Sequence, residues 1–394
     1  MKNNEIQGKI FIGKAKGPIN IALIKYWGKD DEQLITPLNN SISLTLDMNI
    51  FYTETKVIIQ PLCLKEDNNN ETKENLITLK INEKETKVNS RIKNIFNEFL
   101  SLKIPICQEL SKFKLNIQIE SVNTVPIGSG CASSASSMAA LVLAISYALK
   151  IEENNLSKIN LTKLARLGSG SACRSIFGGI CEWVKEGGDD SHAVQLYDEN
   201  YWDLCIKLII VNYKEKEISS SIGMKITKET SELFKYRINY IVDKHLLFLK
   251  KCLEKKDFNE LAEIIIKDSN NFHACCRDSY PTINYLNQES EYIMKGVILL
   301  NKIIKKNICA YTFDAGSNAF IIFERKNQKL IDNYFNFILG LSENKINKLT
   351  DILEISSDEK SIEEINSLIS GKPLKEKIVK QINFNLGEGA KILE

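Results

Sequence analysis

Five short stretches of the chain gather residues that could do chemistry. Residues 125–140 read V-P-I-G-S-G-C-A-S-S-A-S-S-M-A-A. Gly128 and Gly130 permit close backbone approach, and Ser129, Cys131 and Ala132 keep the turn small. Ser133, Ser134 and Ser136 fall where a helix is expected to start. A helix start presents unpaired N–H groups and a positive dipole end, which suit a phosphate. The same residues would also make an ordinary capped connection. Neither G-x-x-x-x-G-K-[ST] nor G-x-G-x-x-G is present: no lysine follows the glycines, and Ser133 holds the third glycine position.

Residues 18–29, P-I-N-I-A-L-I-K-Y-W-G-K, place Lys25 at the end of an apolar strand beside Tyr26 and Trp27. Such a lysine either snorkels to the surface or faces a cleft. Residues 168–175, G-S-G-S-A-C-R-S, put Arg174 after a run of small residues. There its planar fork could grip a carboxylate or phosphate, or it could cap a helix and face water. Residues 314–318, D-A-G-S-N, set Asp314 in a tight turn, as an Asx-type cap or as a general base. Residues 268–280 hold His273, read as a structural histidine. An anion loop, a lysine, an arginine clamp and a candidate base, with no metal-binding histidine or cysteine set, fit phosphoryl transfer from ATP.

These stretches need elements to carry them. Phe113, Leu115, Ile117 and Ile119 alternate with polar residues, which predicts a half-buried strand before the glycine loop. The small apolar run through Met138, Leu141 and Ile145 predicts a buried helix after it. Alternation also predicts strands at 41–46 and 51–59, and helical spacing predicts helices over 89–102, 156–167, 231–251 and 258–269. A continuous apolar strand is expected at 204–211, and two β runs at 308–313 and 319–323 flank the Asp314 turn. Residues 65–75, rich in asparagine, read as a solvated loop or local disorder. Strands and helices mix without regular βαβ alternation, so the expected class is α+β. The shift to glycine and acid at 185–191 puts a domain boundary just beyond it, giving domains 1–192 and 193–394.

With 52 basic and 50 acidic residues in 394, the chain has no global pull toward nucleic acid or membrane. No apolar run reaches membrane-spanning length, and no apolar signal core opens the chain. Ten cysteines without a C-x-x-C pair read as free thiols of a reducing compartment, so the cytoplasm is expected.

In order from about residue 10 to 325, G-P-I-N-I-A-L-I-K-Y-W-G-K, P-L-N-N-S-I-S-L-T-L, C-A-S-S-A-S, A-R-L-G-S-G-S-A-C-R-S-I-F-G-G, I-K-D-S-N-N-F-H-A-C-C, Y-P-T-I-N-Y-L and F-D-A-G-S-N-A resemble the diphosphomevalonate decarboxylases of the GHMP kinase superfamily. The resemblance implies a ribosomal-S5-like N-terminal domain, a ferredoxin-like C-terminal domain and a cleft between them. It implies ATP and Mg2+, a homodimer, and conversion of (R)-5-diphosphomevalonate to isopentenyl diphosphate with release of CO2, ADP and phosphate. Gly128, Ser129, Gly130, Cys131, Ala132, Ser133, Ser134 and Ser136 would cradle the ATP phosphates. Asp314 would deprotonate the 3-hydroxyl, and Arg174 would hold the carboxylate. Lys25, Asn20, Tyr26 and Ser171 would line the site. The nearest alternatives are a phosphomevalonate decarboxylase or a mevalonate 3-kinase on the same scaffold, and a catalytically dead binding protein.

The chain departs from the family's usual pattern in four places: Gly17 for alanine, Ile127-Gly128-Ser129 for Thr-Ala-Ala, Cys131 for leucine, and Ser317 for proline. Gly17 is expected to loosen the end of the first strand, and Ser317 the turn that holds Asp314. These departures bear on rate and nucleotide affinity rather than on reaction type.

Overall fold

A computed structural model describes residues 6–64, 74–125, 133–151, 156–211, 216–341, 359–370 and 377–393. Gly128, Ser129, Gly130, Cys131 and Ala132 of the expected phosphate loop lie outside the described residues, as does most of the asparagine-rich segment.

The first half of the chain runs β1 (Phe11–Pro18), β2 (Asn20–Ile24), β3 (Ser41–Thr45), β4 (Tyr52–Leu64), β5 (Leu76–Ile81), β6 (Lys84–Glu85), α1 (Ser90–Ser101), α2 (Pro105–Leu110), β7 (Phe113–Asn123), α3 (Ser133–Ala148), α4 (Lys158–Gly168), α5 (Ala172–Ser175), β8 (Ile180–Val184) and β9 (His192–Tyr197). The alternation at 113–119 does form a strand. In β7 Phe113, Leu115, Ile117 and Ile119 are buried, and they pack with Phe96, Phe99, Leu141 and Ile145 of α1 and α3. Each such side chain contributes roughly 1.5–3 kcal/mol by leaving water.

β1 and α3 touch through their backbones. A Cβ on Gly13 would lie 2.0 Å from the Ala144 carbonyl oxygen, and one on Gly17 would lie 2.3 Å from that of Ser136. Gly17 therefore does not loosen the strand end, as the sequence suggested; it lets the start of α3 lie flat on β1. The expected boundary at 192/193 falls at the first residue of β9. Pairing of β9 with β8 carries the β2-β3-β8-β9 sheet on to Tyr197.

The second half adds β10 (Leu204–Ile210), α6 (Ser220–Thr230), α7 (Glu232–Tyr236), a π turn (Arg237–Ile241), α8 (Val242–Lys255), α9 (Phe258–Arg277), α10 (Gln288–Ile304), β11 (Cys309–Phe313), β12 (Ala319–Glu324), α11 (Gln328–Ile338), α12 (Glu359–Ser370), β13 (Lys380–Asn385) and β14 (Lys391–Ile392). Strands order β11-β12-β10-β13 in an antiparallel sheet. Its apolar face shares one core with α8, α9 and the inner residues Ile21, Leu23, Ile42 and Leu44 of the β2-β3-β8-β9 sheet.

α9 runs two turns past the expected stop at residue 269. Asp268, Ser269 and His273, which break an apolar pattern on paper, are buried here against polar partners. The end of the chain then crosses back. β14 pairs with β1, Ala15 opposite Ile392, completing a sheet of order β14-β1-β4-β7-β5-β6. Gly387 N–H donates to the Thr45 carbonyl and Ala390 N–H to that of Ser175, both at 2.9 Å. Gly178 and Gly179 touch both crossings between the halves: a Cβ on Gly178 would meet Gly387 and Glu388, and one on Gly179 would meet Tyr197 and Asp198.

Candidate active site

β2 ends at Ile24, so the main-chain groups of Lys25 leave the sheet and need other partners. Side chains supply them. Lys25 N–H donates to Asp268 Oδ2 at 2.8 Å, while its carbonyl accepts from Asn39 Nδ2 at 3.1 Å and Arg237 Nη2 at 3.3 Å. So fixed, the buried Lys25 side chain reaches a carboxylate, Nζ to Asp314 Oδ1, at 2.8 Å. Burial lowers the Lys25 pKa, and Asp314 opposes that shift.

Asp314 begins the turn between β11 and β12. Gly316 N–H closes back on the Asp314 carbonyl at 2.7 Å, Ser290 Oγ donates to the Ser317 carbonyl at 2.9 Å, and Val211 N–H donates to Asn318 Oδ1 at 2.9 Å. With α10 and the end of β10 gripping it, the turn is not loosened by the absence of a proline at 317.

α5 is a single turn, and it carries Arg174 inward. The guanidinium is 2% exposed, with Nε on Ser43 Oγ at 2.9 Å, Nη1 on Ser41 Oγ at 2.6 Å and Nη2 near Asn20 Oδ1 at 3.4 Å. Every one of these partners is neutral, and none of the ion pairs among the described residues includes Arg174. Burial lowers its pKa. A buried cation with no carboxylate in contact, favoured only at a distance by the Lys25-paired Asp314, is costly. It makes sense where an anion arrives.

Lys25, Tyr26, Ser171, Arg174 and Asp314 all line one cleft of about 350 Å³. Tyr26 packs its ring 4.5 Å from that of Trp183, and its hydroxyl is buried without a partner. Burial raises its pKa, so the hydroxyl stays a neutral donor. Ser133 and Ser134 also reach the cleft, with Ser134 Oγ 3.2 Å from Ser169 Oγ.

Two expected site residues do not line it. Asn20 stands behind Arg174, donating through Nδ2 to the Ser171 carbonyl at 3.0 Å and to Ser175 Oγ at 2.8 Å. Ser136 is fully buried, and its hydroxyl donates to the Gly17 carbonyl at 2.7 Å and lies 2.9 Å from the Thr53 hydroxyl. It locks α3 to β1, and cannot also serve a phosphate.

Sequence reasoning missed the opposite wall. Ser219, Ser220 and Ser221 open α6 on the cleft, beside Arg91 and Lys216. Arg91 Nη2 donates to Ser221 Oγ at 3.0 Å, bridging the halves. A serine triplet before a helix was the available signal, but nothing in the sequence placed it opposite residue 174. Among the described residues the lining carries Lys25, Lys29, Arg91, Arg174 and Lys216 against Asp314 alone, a balance suited to a polyanion. A second cavity of about 210 Å³ shares Ser133 and Ser134 with the cleft and is walled by Leu79, Ile92, Met138 and Leu141.

His273 is structural, as expected, but not fully satisfied: its Nε2 is buried without a partner. Burial pushes its pKa down to about 3, with the Lys25 charge adding to that shift and a hydrogen bond to the Phe313 backbone opposing it. A histidine protonated near 6.5 when unfolded and near 3 when folded stabilises the protein fully only above 6.5, and that stability drains as pH falls through the window between. The expected result is a folding free energy that drops by up to about 1.4 kcal/mol per pH unit below 6.5 relative to His273→Gln. Urea denaturation of both proteins at pH 7, 6 and 5 checks this; parallel curves would refute it.

The C-terminal domain profile of the mevalonate 5-diphosphate decarboxylases matches residues 206–393, and the N-terminal profile of diphosphomevalonate decarboxylase-like proteins matches residues 17–194. The diphosphomevalonate decarboxylase of Debaryomyces hansenii is 36% identical over 379 residues, covering 91% of this chain and 92% of that one. The Saccharomyces cerevisiae enzyme is also 36% identical, covering 84% of this chain and 82% of its own. Among solved structures, the Trypanosoma brucei mevalonate diphosphate decarboxylase superposes with a TM-score of 0.79 at 30% identity, covering 97% of this chain and 98% of that one. A relative described in complex with MVAPP, AMPPCP and magnesium superposes at 0.73 with 31% identity, covering 98% of this chain and all of that one. Two-domain GHMP architecture, matching profiles on both halves and full-length relatives lead to one conclusion: the chain belongs to the diphosphomevalonate decarboxylase family.

Proposed function

We propose that the protein catalyses the ATP-dependent decarboxylation of (R)-5-diphosphomevalonate to isopentenyl diphosphate, with ADP, phosphate and CO2 as the other products. The observation that carries this reading is the Arg174 guanidinium, buried with no carboxylate in contact in the same cleft as the Lys25–Asp314 pair. A cation for a carboxylate and a base for a hydroxyl are the two groups that phosphorylation and loss of CO2 require.

Asp314 engages Lys25 through Oδ1, leaving Oδ2 to accept the proton of the tertiary 3-hydroxyl as the oxygen attacks the γ-phosphoryl group. Lys25 holds that carboxylate in place and offsets the charge growing at the oxygen. Cleavage of the C3–O bond then sends its electron pair out with phosphate. Electrons of the C–carboxylate bond form the new double bond, and CO2 departs. Arg174, through donors held by Ser41 and Ser43, aligns that carboxylate without providing a general acid to trap it. Ser219, Ser220, Ser221 and Arg91 suit the substrate diphosphate, and Ser133 and Ser134 the ATP phosphates. The apolar second cavity beside those serines suits the adenine base.

Mg2+ fits as a nucleotide-borne ion. Among the described residues no three His, Cys, Asp or Glu side chains cluster to cage a cation, and Mg2+ characteristically takes few protein ligands beside phosphate oxygens and water. Ser133 and Ser134 hydroxyls would supply such ligands. Bound there, the ion neutralises phosphate charge. A homodimer and a cytosolic location belong to the same reading; the nine free cysteines among the described residues suit a reducing compartment. No described helix is long and apolar enough to cross a membrane.

The test supplies Mg-ATP with mevalonate, its 5-phosphate or its 5-diphosphate. Equal yields of ADP and CO2 from the diphosphate alone are expected. ADP without CO2 would make the protein a kinase, and preference for the monophosphate would move it to the neighbouring decarboxylase.

A further inference from the structure

Asp268 and Ser269 are consecutive residues in the middle of α9, and neither lines the cleft. Both reach the backbone of the reacting pair. Asp268 Oδ2 accepts Lys25 N–H at 2.8 Å, and Ser269 Oγ accepts Phe313 N–H, one residue before Asp314, at 3.3 Å. The pair they flank comes from chain positions 289 apart, one in each half of the chain.

Asp268 is itself braced. Its carboxylate is fully buried, with Oδ1 on Arg237 Nη1 at 2.9 Å and on His245 Nδ1 at 2.9 Å, and Oδ2 on Arg237 Nη2 at 3.0 Å. Burial pushes the Asp268 pKa up, but Arg237, His245 and the Lys25 N–H overcome it and hold the group ionised, at about 2. Arg237 opens the π turn, and its Nη2 also reaches the Lys25 carbonyl. π turns of this kind recur where a helix must aim a side chain at a functional site. The Lys25 N–H is thus set by one charged cluster of the second half, and its carbonyl by that cluster together with Asn39.

We propose that Asp268 and Ser269 are positioning residues, a jig on α9 that sets Lys25 Nζ against Asp314 for proton removal, with Arg237 and His245 holding Asp268 in place. The proposal rests on Asp314 being the base. A displacement of about an ångström between reacting groups can cost on the order of 10²-fold in rate with little change in ground-state binding. The jig therefore acts on turnover and not on affinity.

Ser269→Ala removes one hydroxyl and leaves the charged cluster whole, so it is expected to fold. The expected result is a kcat about tenfold lower, KM for ATP and for the diphosphate within twofold of the wild type, and a thermal midpoint within a few degrees. Asp268→Asn, which strips the charge facing Arg237, is expected to lose more kcat and several degrees of melting temperature. Wild-type kcat in Ser269→Ala overturns the proposal, as does a kcat loss matched by an equal rise in both KM values. If Asp268→Asn does not fold, Ser269→Ala decides alone. Asp314→Asn is measured alongside: activity surviving there refutes the base assignment itself, whereas its loss with an unaffected Ser269→Ala refutes only the jig.

Discussion

Asp314→Asn is expected to lower turnover on the order of 10³-fold while leaving ATP binding intact. Asn keeps the size of the side chain and an oxygen for Lys25 Nζ, now 2.8 Å from Asp314 Oδ1, but it cannot take a proton. A tertiary alcohol is a hindered and weakly acidic nucleophile, so a positioned base contributes well within the usual range of about 10²–10⁴-fold. Removing a negative charge beside a cleft built for polyphosphates does not weaken the nucleotide, and tightens it if anything. Stopped-turnover assays and nucleotide titration read the two effects apart. An Asn variant with more than a tenth of wild-type turnover would remove Asp314 from the chemistry.

Arg174→Gln separates activity from stability in opposite directions. The guanidinium is 2% exposed and bonded only to Ser41, Ser43 and Asn20, so the empty protein bears its desolvation without an ionic partner. Replacing it with a neutral amide relieves that cost, and the melting temperature is expected to hold or to rise. On the proposed mechanism the same change deletes the charge-assisted bonds to the substrate carboxylate, worth about 1.5–3 kcal/mol each. A fall of about 10²-fold in kcat/KM for the diphosphate follows, with KM for ATP little changed. Calorimetry and steady-state kinetics on one preparation decide it. A variant that melts well below the wild type would show that Arg174 serves the fold and not the substrate.

The charged side chains Lys25, Arg174 and Asp314 that meet in the cleft were legible in the sequence because each lies in a short run whose composition is odd for its setting. Lys25 interrupts an apolar strand, Arg174 follows small residues that leave it room, and Asp314 begins a turn between two β runs. Strand β7 and helix α3 were legible for the usual reason, periodic burial. What failed was any inference that needs the other half of the molecule. Ser136 sits among helix-start serines like its neighbours, but the helix rotates it toward Gly17 and away from the cleft. Ser219–221 and Arg91 meet only once α1 and α6 face each other. Hydrophobicity alone stops α9 short, because buried, paired polar residues look like exposed ones on that count. Gly17 looks like a weakness on paper because a lone strand gives no hint that a helix backbone will press against it.

The double crossing at Gly178 and Gly179 limits how the cleft can move. A lobe held by one tether can twist, slide and swing. Here the chain passes between the lobes near Asp198 and returns near Gly387, and both passages rest on the same glycine pair. Both passages lie beside the core that the two halves share, so the walls bearing Arg174 and Ser221 are registered by backbone contact and by apolar packing together.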